Sequence, residues 1–186
     1  ALTRLANSII DQNVAERHAR VNIILYYGKK KGSVNVEVFD EPSLIRAVES
    51  AAKIAKISPE NKDFESIPSP KPYSDVLKNV DLISQSTIDA DPEKRAEYAV
   101  TAIQTAHDVD KRIYAVAGAI WNTSHEWVIL NSLGIEAYQV GSKSNIDLTI
   151  LAKDDEEETA GWAKDVRRDF KKLNVEVVAQ KAAEKA

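Results

Sequence analysis

Hydrophobic residues recur with two different periods along this chain, and the change of period limits it to a mixed fold of strands and helices. In residues 19–27 and 34–39, apolar residues take every second position, as in half-buried strands. They are Ala19, Val21, Ile23, Leu25 and Tyr27, followed by Val34, Val36 and Val38. The glycine-bounded segment GKKKG, residues 28–32, predicts the loop of a hairpin between them. Because the chain is acidic, we interpret Lys29–Lys31 as a solvated tip, with a nucleic-acid contact as the weaker alternative.

Three further segments have the period of amphipathic helices. The first begins after Asp40 with Pro42 in its first turn, and its predicted buried stripe is Leu44, Val48, Ala51 and Ala55. The second begins at Asp91-Pro92, and its predicted core-facing residues are Ala96, Ala99, Val100 and Ile103. The third follows Asn174, and its predicted buried face is Val175, Val178, Ala179, Ala182 and Ala183.

The remaining segments complete a prediction of fold class and domain organisation. Residues 112–170 are extended, with turns predicted at 122–124, 131–134 and 153–158. The four prolines in residues 59–74 predict an extended linker on the surface of a single α+β domain, residues 1–186. We predict an antiparallel β-sheet with amphipathic helices on one face. Residues 5–25 and 129–151 share a layout that a duplicated hairpin-plus-helix unit explains, although any helix-covered antiparallel sheet is the alternative.

Composition excludes several classes of protein. The net charge of −4 provides no general attraction to nucleic acid or to an anionic membrane. No apolar run approaches the roughly 20 residues of a membrane helix, and the first residues do not form a secretory signal. The absence of cysteine excludes disulfide and thiolate chemistry and suits a reducing cytoplasm. Because methionine is absent too, we expect the chain to begin inside its gene product.

The segment SHEWVIL, residues 124–130, begins like a zinc-peptidase helix but lacks its second histidine. Such a site needs a histidine four or five residues after His125, and Ile129 and Leu130 stand there instead. The β-forming residues predict a strand from Trp127 to Leu130, in which positions i and i+4 are about 13 Å apart. We expect His18 and His107 to be structural or solvated, so the sequence assigns no metal ligand.

No other motif supports catalysis or cofactor binding. The acidic run Asp154–Glu158 lacks the spaced ligands of a calcium loop and predicts a solvated hairpin tip. Walker, G-x-G-x-x-G and G-x-S-x-G motifs are absent, and Gly118 indicates close backbone packing. Without basic neighbours in numbers, Trp121 and Trp127 are interpreted as core or interface aromatics rather than base-stacking residues. We therefore assign no catalytic, cofactor-binding or metal-binding residue.

The order of several segments resembles the amino-terminal domain of the TldD/PmbA family. These segments are TRLANSIIDQN, SLIRAVESAAKIAKISPEN, IPSPKPY, DADPEKRAEYAVTAIQTA, AVAGAIW, WVILNSLGIEAY and VEVVAQKAAEKA. The resemblance spans essentially the whole chain and contains no catalytic motif. It implies a cytoplasmic prokaryotic protein, also labelled a modulator of DNA gyrase, that acts as a dimer and in some organisms as a TldD–PmbA heterodimer. It also implies a zinc-dependent peptidase that degrades or trims unstructured peptides, including a microcin precursor and an antitoxin.

In this family the zinc ligands, including an H-E-x-x-x-H helix, lie in the carboxy-terminal half of TldD-type subunits, and PmbA-type subunits lack that motif. The resemblance therefore implies a non-catalytic domain without a cofactor of its own. Its expected roles are dimer assembly and access of unstructured peptides to a zinc site elsewhere in the parent protein, and its expected partners are its own carboxy-terminal domain and a second subunit. The alternative is a non-catalytic partner module, either a PmbA-type subunit or a regulator of gyrase. No membrane partner is expected.

Overall fold

A computed structural model describes residues 1–71, 82–155 and 157–186, which fall into two compact units. One unit comprises Ala1–Glu16 with Lys71–Ala186, and the other comprises Arg17–Pro70. The predicted linker, residues 59–74, has no helix over residues 59–71, where Glu60 forms an isolated bridge with Lys30. Its residues 72–74 lie outside the described residues. The assignment of residues 1–186 to a single domain stays a prediction.

The described residues form seven strands and four α-helices. The strands are β1 (Leu2–Ala6), β2 (Ile9–Val14), β3 (Val21–Tyr27), β4 (Lys30–Val36), β5 (Ile113–Leu130), β6 (Glu136–Lys153) and β7 (Glu158–Arg167). The helices are α1 (Glu41–Ile57), α2 (Gln85–Ile88), α3 (Pro92–Val109) and α4 (Val175–Ala183), and a 3₁₀ turn spans Phe170–Lys172. The β-sheets are antiparallel, so the predicted α+β class is confirmed.

The smaller unit packs α1 against the β3–β4 hairpin. Asp40 caps the helix as predicted, because its Oδ1 accepts the Ser43 backbone N–H at 2.8 Å. The buried stripe is Ala47, Ala51 and Ala55, whereas Val48, predicted to be buried, is 43% exposed. These small residues admit a close approach: a Cβ on Gly32 would lie 1.9 Å from the Ala51 carbonyl oxygen.

The hairpin predicted between β3 and β4 is confirmed, but its turn is shorter than the predicted GKKKG loop. Tyr27 pairs directly with Lys30, so the turn contains only Gly28 and Lys29. Gly28 has the positive φ of 59° that such tight turns require. Lys31 and Gly32 belong to β4, where Gly32 faces α1.

The larger unit contains a five-stranded antiparallel sheet in the order β2-β1-β5-β6-β7. Its longest strands, β5 and β6, pair without a register shift from Ala115 opposite Leu151 to Leu130 opposite Glu136. The predicted turn at residues 122–124 is therefore wrong. Asn122 is buried within the strand, where its Nδ2 donates to the carbonyl oxygen of Thr87 at 2.7 Å. The turn predicted at 131–134 is confirmed, as is the turn predicted at 153–158 for the residues described there.

Helices α3 and α4 cover one face of this sheet and enclose its core. All five residues predicted for the buried face of α4 are buried. On α3 the prediction is partly wrong, because the buried residues are Arg95, Ala99, Ala102 and Ala106 and Val100 is 47% exposed. Because the hydrogen-bonded side chain of Arg95 is buried, the face of α3 that contacts the sheet differs from the face predicted from its apolar residues alone.

The two segments predicted to be an internal duplication share a turn but differ in strand length. Both Asn-Ser pairs lie in hairpin turns, and Asn7 and Ser8 have positive φ values of 50° and 60°. However, the first turn is followed by the six-residue strand β2, and the second by the 18-residue strand β6. The duplicated unit stays a prediction.

Candidate interaction surface

The three histidines do not form a metal centre. His107 lies in the last turn of α3, His125 lies on the exposed part of β5, and His18 lies in the connection before β3. Within residues 1–71, 82–155 and 157–186, no group of three or more histidine, aspartate or glutamate side chains is placed to hold a metal ion. The same residues contain no helix that is long and apolar enough to cross a bilayer.

Within the described part of the chain, the contact between Ser8 and His107 resembles that of a nucleophile and its base. The Ile113 carbonyl oxygen lies 3.1 Å from His107 Nδ1, so this nitrogen carries the proton. His107 Nε2 therefore accepts from the Ser8 hydroxyl at 3.1 Å. The Ser8 backbone N–H donates to the Val116 carbonyl oxygen at 2.9 Å and is not free to stabilise an oxyanion. The contact is structural and ties the β1–β2 turn to α3 and β5.

Arg95 is a buried cation held by neutral acceptors. Its guanidinium donates to Thr3 Oγ1, the Ala90 carbonyl oxygen, Asn122 Oδ1 and Asn13 Oδ1, at distances of 2.7–3.1 Å. The side chain is 1% exposed, and burial lowers the pKa of Arg95. The composition gives no signal for this cluster, because its residues come from β1, β2, α3 and β5. It fixes the sheet where β5 leaves the helix-covered region.

Beyond this point β5 and β6 project from the sheet as a two-stranded arm, residues 123–142. Among the described residues, β1 pairs with β5 only as far as Trp121, and β7 pairs with β6 only from Ser144 onward. Ser142 anchors the base of the arm, since its Oγ accepts the Ser84 backbone N–H at 2.8 Å and donates to the Arg168 carbonyl oxygen at 3.1 Å. The arm thus carries two strand edges without a described partner strand.

The arm is hydrophobic on both of its faces. Trp127 is 61% exposed, Val128 63%, Ile129 59% and Leu130 66%, and on β6 Tyr138 is 63% exposed. Because side chains alternate along a strand, Trp127 and Ile129 lie on one face while Val128 and Leu130 lie on the other. A run that is apolar on both faces is typical of a strand covered on both sides. The sequence signal was the run WVIL, which predicted the strand correctly but did not indicate that it projects.

The face of the sheet opposite α3 and α4 also carries aromatic residues, and we call it the open face. Its residues include Leu2, Arg4, Trp121, Lys143, Asp147, Lys153, Glu158, Trp162, Lys164 and Val166. The Lys143 Nζ lies 5.1 Å from the Trp121 ring centroid, and the Lys164 Nζ lies 5.5 Å from that of Trp162. Trp162 Nε1 donates to Asp147 Oδ1 at 2.8 Å. Trp162 stays 47% exposed with these contacts in place.

The register places Trp127 on the same side of the sheet as the open face. Trp121 and Trp127 are six residues apart on a strand whose pairing is regular between them, so their side chains point the same way. All three tryptophans of the chain therefore lie on one side, and none belongs to the core. Trp121 and Trp127 are therefore not core aromatics, and their assignment to an interface stays a prediction.

The described residues thus combine an α+β fold with an exposed apolar arm. Comparison with known proteins then gives its family. A family model described as "PmbA/TldA metallopeptidase central domain" matches residues 86–186, and the chain belongs to this TldD/PmbA family. The resemblance found in the sequence is confirmed, while the assignment to an amino-terminal domain stays a prediction.

Individual relatives agree with this family. The chain is 28% identical over 162 residues to the "Metalloprotease PmbA homolog" of Haemophilus influenzae, covering 82% of this chain and 34% of that protein. Its fold is similar to that of a putative modulator of DNA gyrase from Thermotoga maritima, with a TM-score of 0.86 and 20% identity. It is equally similar to TldE from Thermococcus kodakarensis, with a TM-score of 0.86 and 23% identity. The two structures match 100% and 98% of this chain, which spans 41% of each of theirs.

Proposed function

We propose that this chain is a non-catalytic domain of a TldD/PmbA-type metallopeptidase of the cytoplasm. It assembles the dimer and admits unstructured peptides to a zinc site in the part of the protein beyond this chain. The observation that carries the proposal is the arm, a hydrogen-bonded ribbon with apolar faces and edges without a described partner strand. Such edges bind extended chains through backbone hydrogen bonds, which favours unfolded peptides with little preference for sequence.

The placement of His125 also supports a zinc site outside this chain. A hydrolytic zinc site needs three protein ligands and an open position for water. His125 lies beside Trp127 on the arm, with ring centroids 6.2 Å apart, and its ring lies against Gly141. It is placed to contact a partner surface rather than to join other ligands.

The zinc content and activity of the whole protein test this proposal. We expect His18→Ala, His107→Ala and His125→Ala to leave the zinc stoichiometry unchanged, since none of these residues would touch the metal, and His18→Ala to leave kcat within about twofold. The 186-residue chain should bind no stoichiometric zinc. The whole protein should cleave an unstructured peptide at least about tenfold faster than the same sequence inside a folded domain. One zinc per 186-residue chain, lost on replacing a histidine, would contradict the proposal.

A second candidate is a partner subunit of the PmbA type, which carries no zinc of its own. It is favoured by the identity of 28% to a protein described as a PmbA homolog. The two candidates differ in the part of the protein beyond this chain. An H-E-x-x-x-H segment there, with zinc bound by the whole protein, supports the peptidase subunit. Its absence, together with zinc-dependent cleavage only after a second subunit is added, supports the partner.

A further inference from the structure

We propose that the arm of one copy docks on the open face of a second copy, in a reciprocal two-fold exchange. This inference rests on the proposed role in assembly and identifies the surface that performs it. The contacting face of the arm contains His125, Trp127, Ile129, Ala137 and Gln139. The receiving face contains Trp121, Trp162 and Val166 with the surrounding cations.

The arm cannot reach the open face of its own chain. Its strands are the continuation of β5 and β6, and their pairing is unbroken from Ala115 opposite Leu151 to Leu130 opposite Glu136. Folding the arm back would break this ladder at its base, where Ser142 and Asn122 are also hydrogen-bonded. The arm and the open face therefore cannot meet within one chain, but they can meet between two copies. A two-fold axis then places the arm of each copy on the open face of the other.

The dimensions of the two surfaces agree. The eight residues from Thr123 to Leu130 span about 26 Å at the rise of a β-strand. The segment of β6 that pairs with β7, from Ser144 to Lys153, has ten residues and therefore spans about 33 Å. An arm laid along the open face of a second copy is thus covered over its whole length, at the roughly 10 Å spacing of packed sheets.

Charge selects this arrangement over direct stacking of two open faces. The register places Arg4, Lys143, Lys153 and Lys164 on the open face with the carboxylates of Asp147 and Glu158, so the face has an excess of positive charge and two such faces repel each other. The contacting face of the arm carries no acidic or basic residue apart from His125. The carboxylates of Glu126 and Glu136 belong to its other face, where Glu126 Oε2 accepts from the Tyr138 hydroxyl at 3.2 Å. Because the contacting face of the arm is uncharged apart from His125, docking it on the open face avoids the repulsion between two open faces. It also brings the Trp127 ring to the lysines of the open face, where cation–π contacts can form.

The exposed apolar area supplies about half of what each partner of a standard dimer interface buries. The exposed apolar surface amounts to roughly 450 Å² over Trp127, Ile129, Trp162 and Val166. The polar side chains around them add to the buried area, and each partner of a standard interface buries roughly 800 Å². Tryptophan is also the residue most enriched among the side chains that dominate binding energy. The location of every tryptophan of this chain on one exposed side is explained by an interface there.

Sedimentation velocity on the 186-residue chain and on the whole protein tests the exchange. We expect both to be dimers at micromolar concentration and Trp127→Ser to raise the dimer dissociation constant at least about tenfold. The matched control is Val128→Ser, which removes a neighbouring side chain of similar exposure from the other face and should leave the constant within about twofold. Circular dichroism should show that both variants are folded, because both positions are exposed.

Several results would overturn the proposed exchange, and another would overturn only the proposed function. A monomeric wild-type chain, an unchanged dimer in Trp127→Ser, or equal effects of the two substitutions each contradicts it. So does a monomeric whole protein in which another part of the same chain covers Trp127. A whole protein that is dimeric and cleaves peptides, but whose mass does not respond to Trp127→Ser, contradicts the exchange and leaves the proposed function standing. An arm-dependent dimer that neither binds zinc nor supports peptide cleavage with a second subunit contradicts the proposed function alone.

Discussion

Replacing Arg95 with alanine is expected to lower the free energy of unfolding by about 3–5 kcal/mol, since it empties the side chain's space and removes the donor from several buried acceptors. The Ala90 carbonyl oxygen and Asn122 Oδ1 lose bonds of 2.7 and 3.0 Å, and Asn13 Oδ1 loses one of 3.0 Å. Urea unfolding followed by circular dichroism measures the change.

Two further variants separate the causes of this loss. Arg95→Met restores most of the volume but no hydrogen bond, and we expect it to recover no more than about 1–2 kcal/mol of the loss. Arg4→Ala removes an exposed arginine from the other face of β1 and should change stability by less than about 0.5 kcal/mol. Equal stability of Arg95→Ala and Arg4→Ala would show that the buried cluster contributes nothing.

Substituting Gly161 with alanine is the second change with a large expected effect. Its side of β7 faces α4, and a Cβ there would lie 2.0 Å from the Ala182 carbonyl oxygen and 2.6 Å from the Ala186 nitrogen. Both are backbone atoms, so the whole helix must move away from the sheet. Because α4 contributes five residues to the core, we expect a loss of about 3 kcal/mol or more in the free energy of unfolding.

The control for Gly161→Ala is the adjacent residue on the opposite face. Ala160 is exposed, and Ala160→Val adds more volume than Gly161→Ala but meets no helix. It should change stability by less than about 0.5 kcal/mol in the same urea titration. A wild-type midpoint for Gly161→Ala would mean that α4 does not pack as closely as the structure shows.

Elements with a regular apolar period and a cap could be predicted from the sequence. Asp40, Asp91 and the start of α4 at Val175 stand where the pattern placed them, because caps and periodicity are local properties. The turn predicted at residues 122–124 is wrong because the side chain of Asn122 is hydrogen-bonded by Thr87 of α2 and Arg95 of α3, which are distant in sequence. Local patterns carry no information about such partners.

Part of the candidate interaction surface could be predicted from the sequence. The run WVIL predicted a strand, and its tryptophan was assigned to the core or an interface. Which of the two applies depends on where β1 and β7 stop pairing, at Trp121 and Ser144, and a single sequence does not contain these end points. Burial of Arg95 was missed for the same reason, since its acceptors lie on four different segments.

Oxidative footprinting of Trp127 in the whole protein tests most directly the claim that this chain contributes an assembly surface. Hydroxyl radicals oxidise exposed indole rings, and Trp127 is 61% exposed in the single chain. The account predicts that its oxidation slows at least about fivefold when the protein is concentrated from the monomer to the dimer range, and that Trp127 is oxidised rapidly again on dilution. Oxidation of Trp127 at one rapid rate across that range, in a protein that is nonetheless dimeric, would contradict it.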